Sequence, residues 1–315
     1  LWLIANEIWS IEDRRLGFGN KLSVDLKSPL QKNKDADMSQ TIFITGTSSG
    51  FGKATAEFFL DKGWNVIATM RRPEAAAFSS TSERLKILSL DVTNAKSIEQ
   101  AIKDGVAAFG GIDVLVNNAG IGLASAVEAT TDAKIEEIFE TNTFGLMKVC
   151  RAIIPHMRKQ GGGTIVNVTS STAIAPMPLS AVYSASKCAA DGFTEAMAYE
   201  LEQFGIKTKL VEPGYAPTTQ FTANGGDNPL AMIPEDYGAF MQGYFGKLMN
   251  YPTAYTAEID VAEAVYAAAT DGSSLLRYPA GADCKFTADM RWSGGDFMAK
   301  IREAFVPTLA AEPAS

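Results

Sequence analysis

The chain reads as an α/β protein, a doubly wound and mostly parallel sheet in a single domain. Three observations carry that expectation. Short β-branched and aliphatic runs alternate with longer helical stretches over most of the length, the pattern of a parallel sheet covered by helices on both faces. Several connections carry glycine, notably Gly110-Gly111 and Gly161-Gly162-Gly163, where the chain must turn between elements. Residues suited to ligand contact then follow the runs directly: Asp91, Asn117-Asn118-Ala119-Gly120, Ser170 and Pro213-Gly214. In an open α/β sheet the ligand binds outside the carboxyl ends of the strands, so all of these converge on one rim.

The first run, Thr41-Ile42-Phe43-Ile44, reads as a fully buried strand. Thr45-Gly46-Thr47-Ser48-Ser49-Gly50-Phe51-Gly52 follows it, and Lys53–Leu60 has helical periodicity ending before Gly63. Strand, glycine-rich turn and helix N-terminus together make an anion site, because free backbone N–H groups and the positive end of the helix dipole point at phosphate. The glycines allow positive φ and let a pyrophosphate approach the backbone. The spacing G-x-x-x-G-x-G is a variant of the commoner dinucleotide G-x-G-x-x-G. The second strand, Asn65–Met70, ends in Arg71-Arg72 with no acid beside it. An acid there would bind the ribose hydroxyls of NAD, whereas arginine suits the 2′-phosphate of NADP. NADP(H) is therefore expected over NAD(H), with Arg71 as the phosphate contact.

Further strands are expected at Lys86–Leu90, Val114–Asn117, Thr164–Val168, Thr208–Val211 and Leu276–Tyr278, with helices at Ala95–Phe109, Ala133–Lys159, Ala181–Phe204 and Val261–Ala269. Residues 38–290 form the domain, 291–315 a C-terminal tail, and 1–37 an extension outside the core or a short docking helix at Trp2–Leu16. A net charge of -8 argues against nucleic acid or an anionic membrane as partner. No run of eighteen apolar residues is present to span a membrane. Three scattered cysteines suit a reducing cytoplasm, and a single histidine, His156, leaves no room for a histidine triad or a multi-histidine metal site.

Proton chemistry is written further along. Tyr183 and Lys187 stand four residues apart, and Ser170 lies thirteen before the tyrosine. Side chains at i and i+4 share one helix face. An ammonium there favours phenolate, lowering a tyrosine pKa that is otherwise about 10. A serine hydroxyl can polarise the carbonyl or alcohol that exchanges the proton. Ser171 competes for that serine role, since a one-residue strand offset would exchange the two.

On T-G-x-x-x-G-x-G at Thr45–Gly52, N-N-A-G at Asn117–Gly120, Ser170 with Y-x-x-x-K at Tyr183–Lys187, and P-G at Pro213-Gly214, the chain resembles the short-chain dehydrogenase/reductase family from about Thr41 to Tyr278. The resemblance implies a Rossmann-like sheet of seven strands and a homodimer or homotetramer built through two long central helices. It implies a catalytic set of Asn142, Ser170, Tyr183 and Lys187. Tyr183 is the general acid in reduction and, as phenolate, the base in oxidation. Lys187 lowers its pKa and bonds the nicotinamide ribose, Ser170 holds the substrate oxygen, and Asn142 tethers a water linking Lys187 to solvent. Cofactor contacts implied are Gly46, Ser49, Gly50, Phe51 and Gly52 at the pyrophosphate and adenosine, Arg71 at the 2′-phosphate, Asp91 with Val92 at the adenine, and Asn118, Ala119 and Gly120 at the ribose. Pro213, Gly214 and Thr218 stand near the carboxamide, with Pro217 stiffening that segment.

Substrate identity is expected in a lid at about residues 220–260, rich in aromatics and methionine: Phe221, Met232, Tyr237, Phe240, Met241, Tyr244, Phe245, Met249, Tyr251 and Tyr255. Such a lid suits a mostly apolar ketone or alcohol; alternatively these residues are the core of a helix near Pro234–Met249 or a subunit interface. The expected activity is NADP(H)-dependent carbonyl reduction or alcohol oxidation of a small molecule. A catalytically idle NADP(H) sensor of the same fold, or an epimerase or dehydratase acting on a nucleotide sugar, are the rival expectations.

Overall fold

The computed structural model describes residues 39–79, 82–217, 219 and 231–308. The expected extension at 1–37, Thr218 and Phe221 lie outside the described residues. Seven of the apolar runs pair as strands: β1 (Thr41–Thr45), β2 (Asn65–Met70), β3 (Leu85–Ser89), β4 (Val114–Asn117), β5 (Gly163–Val168), β6 (Ile206–Pro213) and β7 (Arg277–Ala280). They form one sheet in the order β3-β2-β1-β4-β5-β6-β7, and every pairing is parallel. The sheet is the doubly wound one expected.

Helices cover both faces. In chain order they are α1 (Gly50–Asp61), α2 (Ala95–Phe109), α3 (Asp132–Phe139), α4 (Leu146–Gln160), α5 (Ser171–Ile174), α6 (Ala181–Leu201), α7 (Gly238–Met249), α8 (Glu258–Thr270), α9 (Ala282–Trp292) and α10 (Phe297–Phe305). Successive side chains of a strand point to opposite faces. Ile42 and Ile44 accordingly pack with Phe59 of α1 and with Val261 and Val265 of α8. Phe43 packs on the other side with Ile98 and Ile102 of α2, Ile153 of α4 and Met197 of α6. Because both faces are buried, β1 carries apolar residues without alternation. The helix ends are specified locally: Asn94 Oδ1 accepts from the N–H of Lys96 at 3.0 Å and of Ser97 at 3.2 Å at the start of α2.

Two expectations need correction. The single helix expected over Ala133–Lys159 is interrupted between α3 and α4 by a π-helical turn, Glu140–Gly145. A π turn inserts one residue into the helical repeat, which apolar periodicity cannot reveal, and it holds Asn142 against α6. The stretch 291–315, expected as a tail, contains α10. Ile301 and Phe305 are four residues apart and so share a helix face; both are buried in a cluster with Tyr244 and Leu248 of α7. The Phe305 ring also stacks on Tyr251 at 5.4 Å. The compact unit therefore runs past residue 290. Among the described residues no helix is long and apolar enough to cross a membrane.

Phe305→Ala should lower unfolding free energy by about 3 kcal/mol through the cavity it leaves, measured by reversible denaturant unfolding. A loss below about 1 kcal/mol would detach α10 from the core.

Candidate active site

Strand β1 pairs with β2 on one side and β4 on the other, so the winding direction reverses between β1 and β4. A crevice opens at the carboxyl ends of strands where that happens. Thr45 closes its floor: its Oγ1 accepts from the N–H of Asn118 and of Ala119, both at 3.0 Å. Asn118 Nδ2 returns bonds to the carbonyls of Thr45 and Gly46, each at 3.0 Å. The glycine turn and the N-N-A-G segment are thereby fastened together.

The residues fit a dinucleotide. Gly46 takes a φ of +73°, and a Cβ on Gly52 would lie 2.3 Å from the Gly46 carbonyl oxygen, so the turn requires glycine at both positions. Ser49 stands at the N-cap of α1 without bonding the helix through its side chain, and the first turn holds no acid. The N–H groups there and the positive dipole end remain available to a phosphate.

From this turn a cavity of about 580 Å³ runs along the rim. Gly46, Ser49, Gly50, Phe51, Arg71, Asp91, Val92, Asn118, Ala119 and Gly120 line its first part, and Ser170, Tyr183, Lys187, Pro213 and Gly214 its second. Gly52 and Asn142 do not line it; they support residues that do. Arg71 is exposed at the end of β2. The Asp91 carboxylate accepts from the N–H and the hydroxyl of Thr93 at 2.9 and 2.8 Å, so it holds its own turn.

Ser170, two residues past β5, caps the short α5, accepting at 3.1 Å from Thr172 N–H. Its side chain is also hydrogen-bonded to Tyr183. Tyr183 and Lys187 lie one turn apart on α6, each about one-twentieth exposed, at 6% and 5%. Lys187 Nζ donates to the Val168 carbonyl at 3.2 Å and stands 5.9 Å from the centre of the Tyr183 ring. Ser171 lines the cavity too, but Ser170 is the serine bonded to the phenol.

Burial sets the protonation states. It raises the Tyr183 phenol well above its ordinary value, opposed by the Ser170 hydrogen bond. The same burial pushes Lys187 down to about 8, opposed by the charge of Asp191. Taking a phenolate out of water costs more here than the Ser170 hydroxyl returns.

Asn142 is buried on the π turn. Its Oδ1 accepts from Ile121 N–H at 2.9 Å, while Nδ2 donates to the Ile121 carbonyl at 2.9 Å and the Ser186 hydroxyl at 3.2 Å. The amide is spent fastening the loop after β4 to α6, next to Lys187.

Two groups were not legible in the sequence. Asp283 of α9, buried and on the cavity wall, accepts from Tyr215 N–H and Thr256 Oγ1, each at 2.6 Å. Thr256 Oγ1 also accepts from Gly214 N–H at 3.1 Å. Any Cβ on Gly214 would strike the Asp283 carboxylate, which explains the glycine of the P-G pair. Asp191, one turn beyond Lys187, bonds Arg277 at 2.8 Å. Arg277 also binds Glu195 at 2.6 Å and the fully buried Glu212, whose carboxyl burial pushes up to about 7. Asp283 stands about 70 residues beyond the P-G pair, and no motif spacing of this class reaches so far.

A fold reversing at β1 and β4, a phosphate-ready turn there and a buried Ser–Tyr–Lys group at the far end of one cavity define a nicotinamide dinucleotide-binding oxidoreductase. The family profile described as short chain dehydrogenase matches residues 40–228, and the chain belongs to that family. A curated relative from Bacteroides thetaiotaomicron, named 3-ketodihydrosphingosine reductase, is 40% identical over 198 residues, 63% of this chain and 71% of the relative. Among solved structures, a short-chain dehydrogenase from Streptomyces avermitilis aligns with a TM-score of 0.70 and 32% identity, covering 85% of this chain and 96% of that one. A short chain dehydrogenase from Burkholderia cenocepacia, in complex with NADP, aligns at 0.67 and 25% identity over 85% and 98%. A 3-ketoacyl-(acyl-carrier-protein) reductase from Brucella melitensis, complexed with NADH, aligns at 0.62 and 25% over 76% and 94%.

Gly52→Ala should weaken dinucleotide binding at least about tenfold, since a contact at 2.3 Å must be relieved by moving the turn itself. Fluorescence titration with the reduced dinucleotide measures this; an unchanged Kd would refute the tight turn.

Proposed function

We propose that the protein reduces a carbonyl, or oxidises the matching secondary alcohol, of a mostly apolar small molecule with NADP(H). The observation that carries this is the buried grouping of Ser170, Tyr183 and Lys187 on the wall of the cavity that begins at the glycine turn. When bound, the reduced dinucleotide supplies a hydride and its oxidised form accepts one.

The turn at Gly46–Gly52 and the N-terminus of α1 would hold the pyrophosphate, Asn118 to Gly120 the ribose, and Pro213-Gly214 the carboxamide end. Arg71, with no acid at the end of β2, would take the 2′-phosphate. Ser170 donates a hydrogen bond to the substrate oxygen. Tyr183, kept protonated by burial, is a competent acid and delivers its proton to that oxygen as negative charge develops there. Lys187, cationic below about pH 8, stabilises the phenolate left behind and restores its proton. Asn142 keeps the Ile121 loop fixed beside that amine. In the oxidative direction the same groups run in reverse.

An apolar substrate is supported by the far wall of the cavity, where Met177, Leu179, Tyr244, Phe245 and Leu248 face the space. Of the residues expected in the lid, Tyr244, Phe245, Tyr251 and Tyr255 line the cavity, whereas Met249 is 80% exposed. Keto-group reduction agrees with the name of the Bacteroides relative. Exposed Phe144 and Tyr199, on the π turn and on α6, are surfaces that a homodimer or homotetramer would cover.

Tyr183→Phe should cut turnover at least about a thousandfold, removing both the acid and its positioned contact, while the Kd for NADPH stays within about twofold. Undiminished ketone reduction would take Tyr183 out of the mechanism. Arg71→Asp should move the NADPH/NADH ratio of kcat/KM toward NADH by at least about tenfold, the worth of a charge-assisted phosphate contact. An unaltered ratio would assign the phosphate elsewhere.

A further inference from the structure

A second cavity, of about 890 Å³, is lined by residues of α7, α9 and α10. Among the described residues it shares one lining residue with the cavity of the active site, Tyr251. The partners of that side chain divide in the same way. Its hydroxyl donates to the Asp283 carbonyl at 3.4 Å, and its ring centre lies 6.4 Å from that of Tyr255. Asp283 and Tyr255 line the first cavity and not the second. The same ring stacks on Phe305 at 5.4 Å and meets the Phe286 ring edge-on at 5.8 Å. Those two line the second cavity and not the first. Tyr251 is the partition between the two spaces.

The partition continues the apolar wall of the first cavity. Leu248 faces that cavity from the last turn of α7, and the Tyr251 N–H donates to the Leu248 carbonyl at 3.2 Å. Backbone, hydroxyl and ring of Tyr251 are therefore each held. A chain laid along Tyr244, Phe245 and Leu248 meets a packed aromatic wall at Tyr251 instead of a side chain free to turn aside.

Beyond the wall, the space suits more of the same chain. Phe286, Met290, Ala304 and Phe305 give it apolar lining. Its two lysines are bonded to the protein: Lys247 Nζ donates to the Glu303 carbonyl at 2.6 Å and Lys300 Nζ to the Ser293 hydroxyl at 2.8 Å. Hydrocarbon that passed the ring would leave water for an aromatic and thioether surface.

We infer that Tyr251 is a specificity-determining residue whose ring closes the substrate cavity and sets the longest unbranched apolar chain it accepts. The second cavity is the room a longer chain would take if the ring were absent. This rests on the carbonyl-reductase reading above.

The test uses a series of straight-chain methyl ketones of increasing length with the purified protein and NADPH or NADH. Wild-type kcat/KM should rise about fourfold with each added methylene as it leaves water. Once the chain meets Tyr251, it should fall by about tenfold, the cost of overfilling a packed site. Tyr251→Ala should carry the rise on to longer ketones, and Tyr251→Phe, which keeps the ring, should keep the wild-type limit. Thermal unfolding checks that each variant is folded; should Tyr251→Ala not fold, Tyr251→Leu shortens the same wall and should also move the limit outward. A wild type with no length limit overturns the inference. So does a limit that stays in place when the ring is removed, or one that moves in Tyr251→Phe. Failure of the wild type to reduce any ketone of the series overturns the reductase reading itself and this inference with it.

Discussion

The bond between Thr45 and the Asn118-Ala119 backbone is the joint on which the site depends. Parallel strands can be wound outward from the middle in two directions, and here the two directions part between β1 and β4. Without a tie, the turns leaving those strands would diverge with the helices they feed. Thr45 Oγ1 meets two consecutive N–H groups, and Asn118 Nδ2 returns to two carbonyls. The crevice is consequently a rigid feature made by polar groups that would otherwise be unpaired, and its reward is a phosphate-binding turn held open beside the ribose segment.

At the other end of the cavity, desolvation governs the chemistry. Ser170, Tyr183 and Lys187 are all buried; burial disfavours every charged form, raising the phenol and lowering the amine. A protonated tyrosine and a lysine near its midpoint are suited to giving a proton and receiving its replacement. Behind Lys187, the negative charge of Asp191 resists neutralisation of the amine, and Arg277 in turn holds Asp191 together with Glu195 and Glu212. An edge strand, β7, thus reaches Lys187 through one ion cluster and one helix turn.

The apolar wall of the cavity is assembled from parts distant in the chain. Asp283 of α9 fixes the backbone at Gly214 and Tyr215, and α10 backs α7, from which Tyr244 and Leu248 face the cavity. Leu179, on the same wall, takes a φ of 57° and is held by Ser125 N–H donating to its carbonyl at 2.8 Å. Non-glycine residues adopt that conformation seldom and where surrounding structure imposes it.

The local signals in this chain were sufficient for the strands, the glycine turn and the Tyr183–Lys187 pair, because each depends on spacing along a single element: two for a strand face, four for a helix turn, a run of glycines for a bend. Ser170 was separable from Ser171 only by its offset from Tyr183 until the phenol bond singled it out. The π turn around Asn142, the folding of α10 onto α7, the Asp283 latch and the protonation of Tyr183 were decided by tertiary structure. Each arises from groups far apart in the chain that meet where water is excluded, and burial acts on a side chain through whatever surrounds it, which linear spacing does not encode.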